Sequence, residues 1–342
     1  MSSAAGRRPT GMTLVVESPD VVVSTDARLE DVEQYRRELT GYCYRMLGSA
    51  FEADDAVQET MVRAWKAFDS FEGRSSLRSW VYRIATNVCL DMLRGRGRRA
   101  TPMDFGPAHT PESFRGDTRP EAAWITPIPD ERVISLDSDP ADVAAARESI
   151  KLAFITALQH LPARQRASLI LCEVLKWQAT EVAELLETSV ASVNSALQRA
   201  RATLAERDVD AMDVAAVDAS QADLLARYVD AFERYDIDTL VTLLRDDVIM
   251  SMPPYDFWLT GPEVVGSWFR NQGIGCKDGR ILRAGTANGS AAFGTYRIDP
   301  EGGFFPWSLL VLEVSGDRIV GNHSFLDTSL FEVFGLPTHL DS

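Results

Sequence analysis

The sequence predicts a multidomain chain of two all-α modules, the second ending in a helix-turn-helix, followed by a C-terminal α+β domain. Three observations carry this. Apolar residues recur at helical spacing through residues 29–100 and again through 144–207, a proline-rich acidic stretch at 101–143 separates them, and beyond residue 219 two helical stretches lead into strand-like runs. At 342 residues the chain is too long for one ordinary core. Its 45% hydrophobic and 25% charged residues match a globular average. No run approaches the roughly eighteen apolar residues that cross a bilayer, and the start lacks a basic segment followed by a continuous apolar one, so no membrane association and a cytoplasmic location are expected. Cys43, Cys89, Cys172 and Cys276 lie far apart with no Cys/His cluster, so they read as core thiols, and neither a metal nor another cofactor is expected. The net charge of −15 argues against unaided DNA coating, because duplex binding rests on neutralising phosphates with Lys and Arg.

Residues 1–28 show no sustained period and read as a disordered tail. In the first module (29–100) the spacing predicts a helix over Phe51–Phe68 with Val57, Met61, Trp65 and Phe68 inward. Its other face carries Asp54, Asp55, Gln58, Glu59, Val62 and Lys66, polar and mainly acidic. A break follows at Phe71–Ser76, where Gly73 and paired serines supply turn and N-cap chemistry. In the next helix Leu77, Val81, Ile84, Ala85, Val88 and Met92 face inward and Arg78, Tyr82, Arg83, Asn87, Asp91 and Arg94 outward. Aromatic rings interleaved with Arg and Asn suit unstacked bases and phosphates.

Asp54 through Trp65, then Phe71-Glu72-Gly73 and Leu77 through Asn87, resemble sigma region two of the extracytoplasmic-function (ECF) group of RNA polymerase sigma factors. The resemblance implies a helical bundle whose acidic residues Asp54, Asp55, Gln58 and Glu59 grip a coiled coil of the polymerase β′ subunit. It also implies that Arg74, Trp80, Arg83 and Asn87 lie at or beside the melted minus-10 strand.

Residues 101–143 carry seven prolines among many acids, which excludes long helices and strands. Such a linker either separates domains or has a task of its own. Within it Trp124-Ile125-Thr126-Pro127-Ile128-Pro129-Asp130 is an apolar cluster that reads as a docking segment, or else as local collapse without a partner. In the resembled family this linker runs into polymerase channels.

In the second module (144–207), Gln178–Leu186, a turn at Glu187–Ser189 and Val190–Leu204 have helix-turn-helix proportions. Val182, Leu186, Val190, Val193 and Leu197 form the expected core, and Ser189 the N-cap. Ser192, Asn194, Ser195, Gln198, Arg199 and Arg201 are left outward, with side chains suited to a major groove. Leu161 through Arg166, Glu181 through Leu186 and Ser192 through Arg201 resemble sigma region four, which implies reading of the minus-35 element. Glu187 stands where such turns usually carry Gly and must tolerate a strained or positive φ.

After an acidic stretch at 208–218, helices near 221–235, 237–244 and 261–272 and strand-like runs near 248–252, 291–297, 307–314 and 318–325 predict the α+β domain at 219–340. Tyr228 through Asp236, Met252-Pro253-Pro254 and Gly261-Pro262-Glu263 resemble the cone-shaped SnoaL-like fold, which implies a domain that modulates sigma activity. Met252, Tyr255, Trp258, Trp268, Trp307, His323 and Phe325 are candidates for an apolar pocket holding an unidentified small ligand. Asp256, His323 and Asp327 are the acid/base candidates, but no spacing singles out a catalytic pair, so no enzymatic activity is expected. The expected partners are core RNA polymerase and promoter DNA. Two other readings stay open: a non-sigma helix-turn-helix regulator with a ligand-binding domain, which would bind its operator without polymerase, and an enzyme with a helical appendage.

Overall fold

The computed structural model describes residues 31–135, 139–206 and 221–341; the expected N-terminal tail and the acidic stretch at 208–218 lie outside them. The first module contains α1 (Arg36–Leu47), α2 (Ala50–Ala67) and α3 (Leu77–Leu93). Gly48 closes α1 with a φ of 72°, a conformation that glycine reaches at least cost. The Ser49 side chain caps α2 and that of Ser76 caps α3, as the turn chemistry predicts.

The inward stripe of α2 differs from expectation. Ala53, Ala56, Val57, Thr60 and Ala64 are buried, whereas Trp65 is 52% exposed. A stripe of small residues lets α1 and α3 approach closely, and the indole sits past its edge. Tyr82 is the converse correction. Expected outward on α3, it is fully buried, with its ring 5.0 Å from that of Trp177 in the second module.

The second module contains α4 (Pro140–Glu148), α5 (Leu152–Gln159), α6 (Ala163–Leu169, running on through a π turn at Ile170–Val174), α7 (Ala179–Leu185) and α8 (Val190–Ala205). Glu187 adopts the positive φ predicted for it, 50°. The Thr188 N–H returns to the Ala183 carbonyl at 2.9 Å, the closing bond of a Schellman turn. Ser189 caps α8. Val182, Leu186, Val193 and Leu197 are buried, but Val190 is 38% exposed, because the first turn of α8 projects beyond α7.

The C-terminal domain adds α9 (Ala222–Glu233), α10 (Ile237–Thr242), β1 (Leu244–Ser251), β2 (Trp258–Thr260), α11 (Pro262–Arg270), β3 (Arg280–Ala287), β4 (Ser290–Ile298), β5 (Phe304–Ser315), β6 (Arg318–Phe325) and α12 (Leu330–Val333). Its sheet has the order β2-β1-β6-β5-β4-β3, with β1 and β6 parallel and the other pairs antiparallel. This is an α+β cone, as expected: α9, α10 and α11 cover the inner face, burying Phe293, Leu310 and Leu312.

The outer face of the sheet buries Ala292, Leu309, Val311 and Phe325 in one continuous apolar cluster with both helical modules. The segment at 101–135 lies between them. Its prolines allow only single 3₁₀ turns, at Pro102–Asp104, Pro111–Ser113, Glu121–Ala123 and Asp130–Arg132. Trp124, Ile125 and Ile128 are buried, at roughly 1.5–3 kcal/mol each. The apolar segment is thus covered by the chain itself. Two buried arginines join the modules directly. Arg45 of α1 donates to the Ser149 carbonyl at 3.1 Å and to Ser149 Oγ at 2.6 Å. Arg166 of α6 donates to the Met46 carbonyl and, at 2.7 Å, to Gln159 Oε1. Neither meets a carboxylate among the described ion pairs, and burial lowers each pKa to about 10.

Candidate functional surfaces

On α2, Asp55, Gln58 and Glu59 are exposed along one side, and Glu59 accepts from Arg63 Nε at 2.6 Å. Asp54 is different. Its carboxylate holds Arg132 Nη2 at 2.8 Å, so the Asp130–Arg132 turn of the linker reaches onto the edge of the acidic face. Val62 and Trp65, 43% and 52% exposed, add an apolar strip one turn further on. Sequence spacing missed the exposure of Trp65 because a tryptophan in an apolar register is ordinarily core.

The second surface begins at the loop before α3. Arg74 is exposed and pairs only with Glu72, at 2.6 Å, among the described residues. Trp80 is half-buried, its ring 6.1 Å from Phe68 and 5.1 Å from Phe71, an aromatic platform at the loop's base. Arg83 is half-buried and Asn87 exposed on the same helix. Arg78, one turn away, is committed elsewhere: it pairs with Glu38 at 2.8 Å and its guanidinium lies over both the Tyr82 and Trp177 rings, at the seam of the modules. On α8 the predicted set, Ser192, Asn194, Ser195, Gln198, Arg199 and Arg201, is exposed throughout. Ser195 and Arg199 are joined at 2.5 Å, and Arg201 is paired with Glu173.

The predicted pocket residues divide between the two faces of the sheet. Met252, Tyr255, Trp268 and Trp307 line an inner pocket of 190 Å³ with Tyr228, Arg297 and Asn322. There the Arg297 guanidinium lies over the Trp307 ring, and Asn322, 1% exposed, donates to Tyr228 Oη at 2.9 Å while its Oδ1 accepts no bond. Phe114 of the linker closes the mouth, its ring 5.0 Å from those of Tyr255, Phe257 and Trp268. Trp258 lies apart and donates to the Gly106 carbonyl at 3.0 Å. His323 and Phe325 face the outer side, because strand alternation sends neighbours to opposite faces. The acid/base candidates form no pair: Asp256 is held by Arg119 of the linker, and Asp327 accepts from Ser329. Among the described residues no His/Cys/Asp/Glu group is arranged to hold a metal, and no helix is long and apolar enough to cross a membrane.

The residue that joins these parts is Asn288. With Gly289 it forms the two-residue turn between β3 and β4, at φ of 53° and 78°, the hairpin chemistry of an Asn-Gly pair. Its Oδ1 accepts from the Ile128 N–H at 3.0 Å, and its Nδ2 donates to Tyr44 Oη at 2.8 Å and to the Ile150 carbonyl at 2.5 Å. One side chain therefore binds the linker, the first module and the second. Beside it, Asp130 Oδ1 accepts from the Gly289 N–H at 2.9 Å. Burial raises the Asp130 carboxyl pKa against the Gly289 and Thr286 hydrogen bonds and the charge of Arg147. The Asn-Gly dipeptide between strand-like runs is a hairpin signal in the sequence; nothing local marks it as the meeting point of three other segments.

Two helical modules with exposed acidic, aromatic-basic and helix-turn-helix surfaces, fused to an α+β cone, define a multipart transcription factor of the polymerase-associated kind. The Sigma-70 region 2 family matches residues 32–99 and the Sigma-70 region 4 family residues 151–204. The chain is 45% identical over 311 residues to the ECF RNA polymerase sigma factor SigG of Mycobacterium tuberculosis, covering 90% of this chain and 83% of that protein. It is 28% identical over 221 residues to SigJ of the same organism, covering 64% of this chain and 63% of that one. The crystal structure of M. tuberculosis SigJ superposes with a TM-score of 0.58 at 21% identity, covering 91% of this chain and 99% of that one, so the fold extends over all three parts. The chain belongs to the ECF RNA polymerase sigma factor family.

Proposed function

We propose that this sigma factor, which binds core RNA polymerase and directs promoter-specific initiation, is held by its linker and C-terminal domain in a closed state that must open for both promoter elements to be read. Asp54, Asp55, Gln58 and Glu59 grip the β′ coiled coil in this reading. Arg74, Trp80, Arg83 and Asn87 meet the minus-10 strand, and Ser192, Asn194, Ser195, Gln198, Arg199 and Arg201 the minus-35 groove. The working units are residues 29–100, 144–207 and 219–340, with 101–143 connecting the first two.

The observation that carries the proposal is the direct contact between the two reading modules. Elements 25 base pairs apart lie roughly 85 Å apart along B-form DNA, at about 34–36 Å per turn. The modules here share one core, with the Tyr82 and Trp177 rings 5.0 Å apart. Arg132 on Asp54 supports the same reading from the polymerase side, since an engaged acidic group is less available to β′. The inner pocket suits a small, largely apolar ligand: Asn322 Oδ1 lacks a donor, and an occupant would press on Phe114. Run-off transcription with core polymerase tests the whole, comparing the natural chain with Asn288→Gly. A promoter-dependent transcript that rises in the variant at equal concentration is expected. Its absence from both would overturn the initiation role, and equal amounts would overturn the closed state.

A further inference from the structure

On the outer face of the sheet lies a second pocket, of 290 Å³, walled by the linker, by α5 and by β1, β5 and β6. It is separated from the inner pocket by the thickness of the sheet. Ile125, Leu152 and Phe325 make its walls mainly apolar. Into these walls is set a buried polar chain: Ser251 Oγ is 2.8 Å from His323 Nδ1, and His323 Nε2 is 3.3 Å from Glu313 Oε2. The three residues are 2%, 5% and 3% exposed.

The chain is accommodated by a gap in the sheet. Gly321 faces Glu313 across β5 and β6, and a Cβ there would fall 2.6 Å from Glu313 Oε2 and 2.7 Å from His323 Nε2. No L side chain fits without moving the carboxylate. That carboxylate is under-served. An ionised Glu offers about four acceptor sites, yet among the described residues Glu313 takes a single long hydrogen bond. Asp104, on the opposite wall, is fully engaged by the Thr101 N–H at 2.9 Å, Arg98 at 3.2 Å and His160 at 3.1 Å. Burial would raise its pKa, but these partners hold it below the usual carboxylate range. The two carboxylates leave a pocket whose open valence is for a donor, and a cationic donor makes the stronger bond.

We propose that this seam pocket binds a small apolar primary amine, its ammonium on Glu313 and its ring or alkyl body against Ile125, Leu152 and Phe325. The site is complete only when linker, second module and sheet are together, so occupancy favours the closed state. This last clause rests on the function proposed above. By linkage, an occupant at about ten times its dissociation constant weakens binding of any partner that needs the open state about tenfold.

Benzylamine is the probe, with benzoate as the charge-inverted control, and calorimetric titration and thermal unfolding of the full chain are the readouts. Saturable binding of benzylamine with a rise in Tm is expected, with none from benzoate, and binding is lost in Glu313→Gln. Because that variant removes a core group, Ala153→Phe, which fills the pocket from α5 and leaves the polar chain intact, must also abolish binding while circular dichroism stays native. No saturable binding to the natural chain, or undiminished binding in a folded variant, overturns the site. A third measurement separates the two readings. If benzylamine binds but core-polymerase affinity does not fall, the site stands and the closed-state control is refuted.

Discussion

Replacing Asn288 with glycine isolates the contact that closes the molecule. Glycine takes the positive φ of this position without strain, so the β3–β4 turn survives and only the side chain is lost. Three hydrogen bonds go with it, to Ile128, Tyr44 and Ile150. At roughly 1 kcal/mol each they sum to about 3 kcal/mol, and the buried Ile128 N–H left without an acceptor moves the estimate toward 4. Tyr44 is less affected, since its hydroxyl still donates to the Thr126 carbonyl at 3.0 Å. A cost of about 3–4 kcal/mol is a factor of about 10²–10³ in the docking equilibrium. Amide hydrogen exchange reads this directly, because the amides of position 288 and of Gly289, which donate to the Ile128 carbonyl and to Asp130 Oδ1, are released by undocking rather than by global unfolding. Their exchange should accelerate by that factor while amides in α8 and in the inner layer of the C-terminal domain keep their protection. If the Gly289 amide accelerates less than about tenfold in a variant with native circular dichroism, Asn288 does not close the molecule.

The acidic face gives a second test: Asp55→Ala with Glu59→Ala should weaken core-polymerase binding at least about tenfold and leave Tm within a few degrees, since both side chains are exposed. Unchanged affinity would remove the face assignment. On α8, Gln198→Ala should relax discrimination at one minus-35 base pair at a cost of about 1–3 kcal/mol. Arg199→Ala, if its contact is to phosphate, should instead weaken all promoters alike and reduce the salt dependence, which filter binding of holoenzyme at several ionic strengths distinguishes. The raised pKa of Asp130 sets a pH dependence. Its folded value lies above the unfolded value of about 3.9, so its contribution to docking is fully present below that pH and is lost as pH rises through the folded value. Asp130→Asn keeps an acceptor for the Gly289 N–H and abolishes the titration. The difference in Tm between the two proteins should therefore grow in the variant's favour as pH rises, and a pH-independent difference would contradict this.

The separate parts of this protein were legible in the sequence because their signals are local. Helix period, the caps at Ser76 and Ser189, the strained turn at Glu187 and the outward side of α8 follow from spacing and from the chemistry of single residues. The edge strand β2 and the strand β3 gave weaker signals, being short in one case and interrupted by Arg283 and Gly285 in the other. Period alone also misplaced Trp65, Tyr82 and Val190, because it reports which side of a helix is apolar and not where a neighbouring element stops or begins to cover it. Tyr82 is covered by Tyr42 of its own module and by Trp177, which lies nearly a hundred positions further along the chain.

What tertiary structure alone decided is the relation between the parts. The apolar residues of the linker announced a surface in need of a cover, but only the fold identifies that cover as the first module and the outer face of the C-terminal sheet. The seven pocket candidates shared a composition, yet strand alternation and the course of the linker send four to an inner pocket stopped by Phe114, His323 and Phe325 to an outer one beside Glu313, and Trp258 to neither. Contacts such as Asn288 with Ile128, Tyr44 and Ile150 join residues more than a hundred positions apart. No local propensity encodes them, because the free energy that selects them arises only when the segments are already assembled.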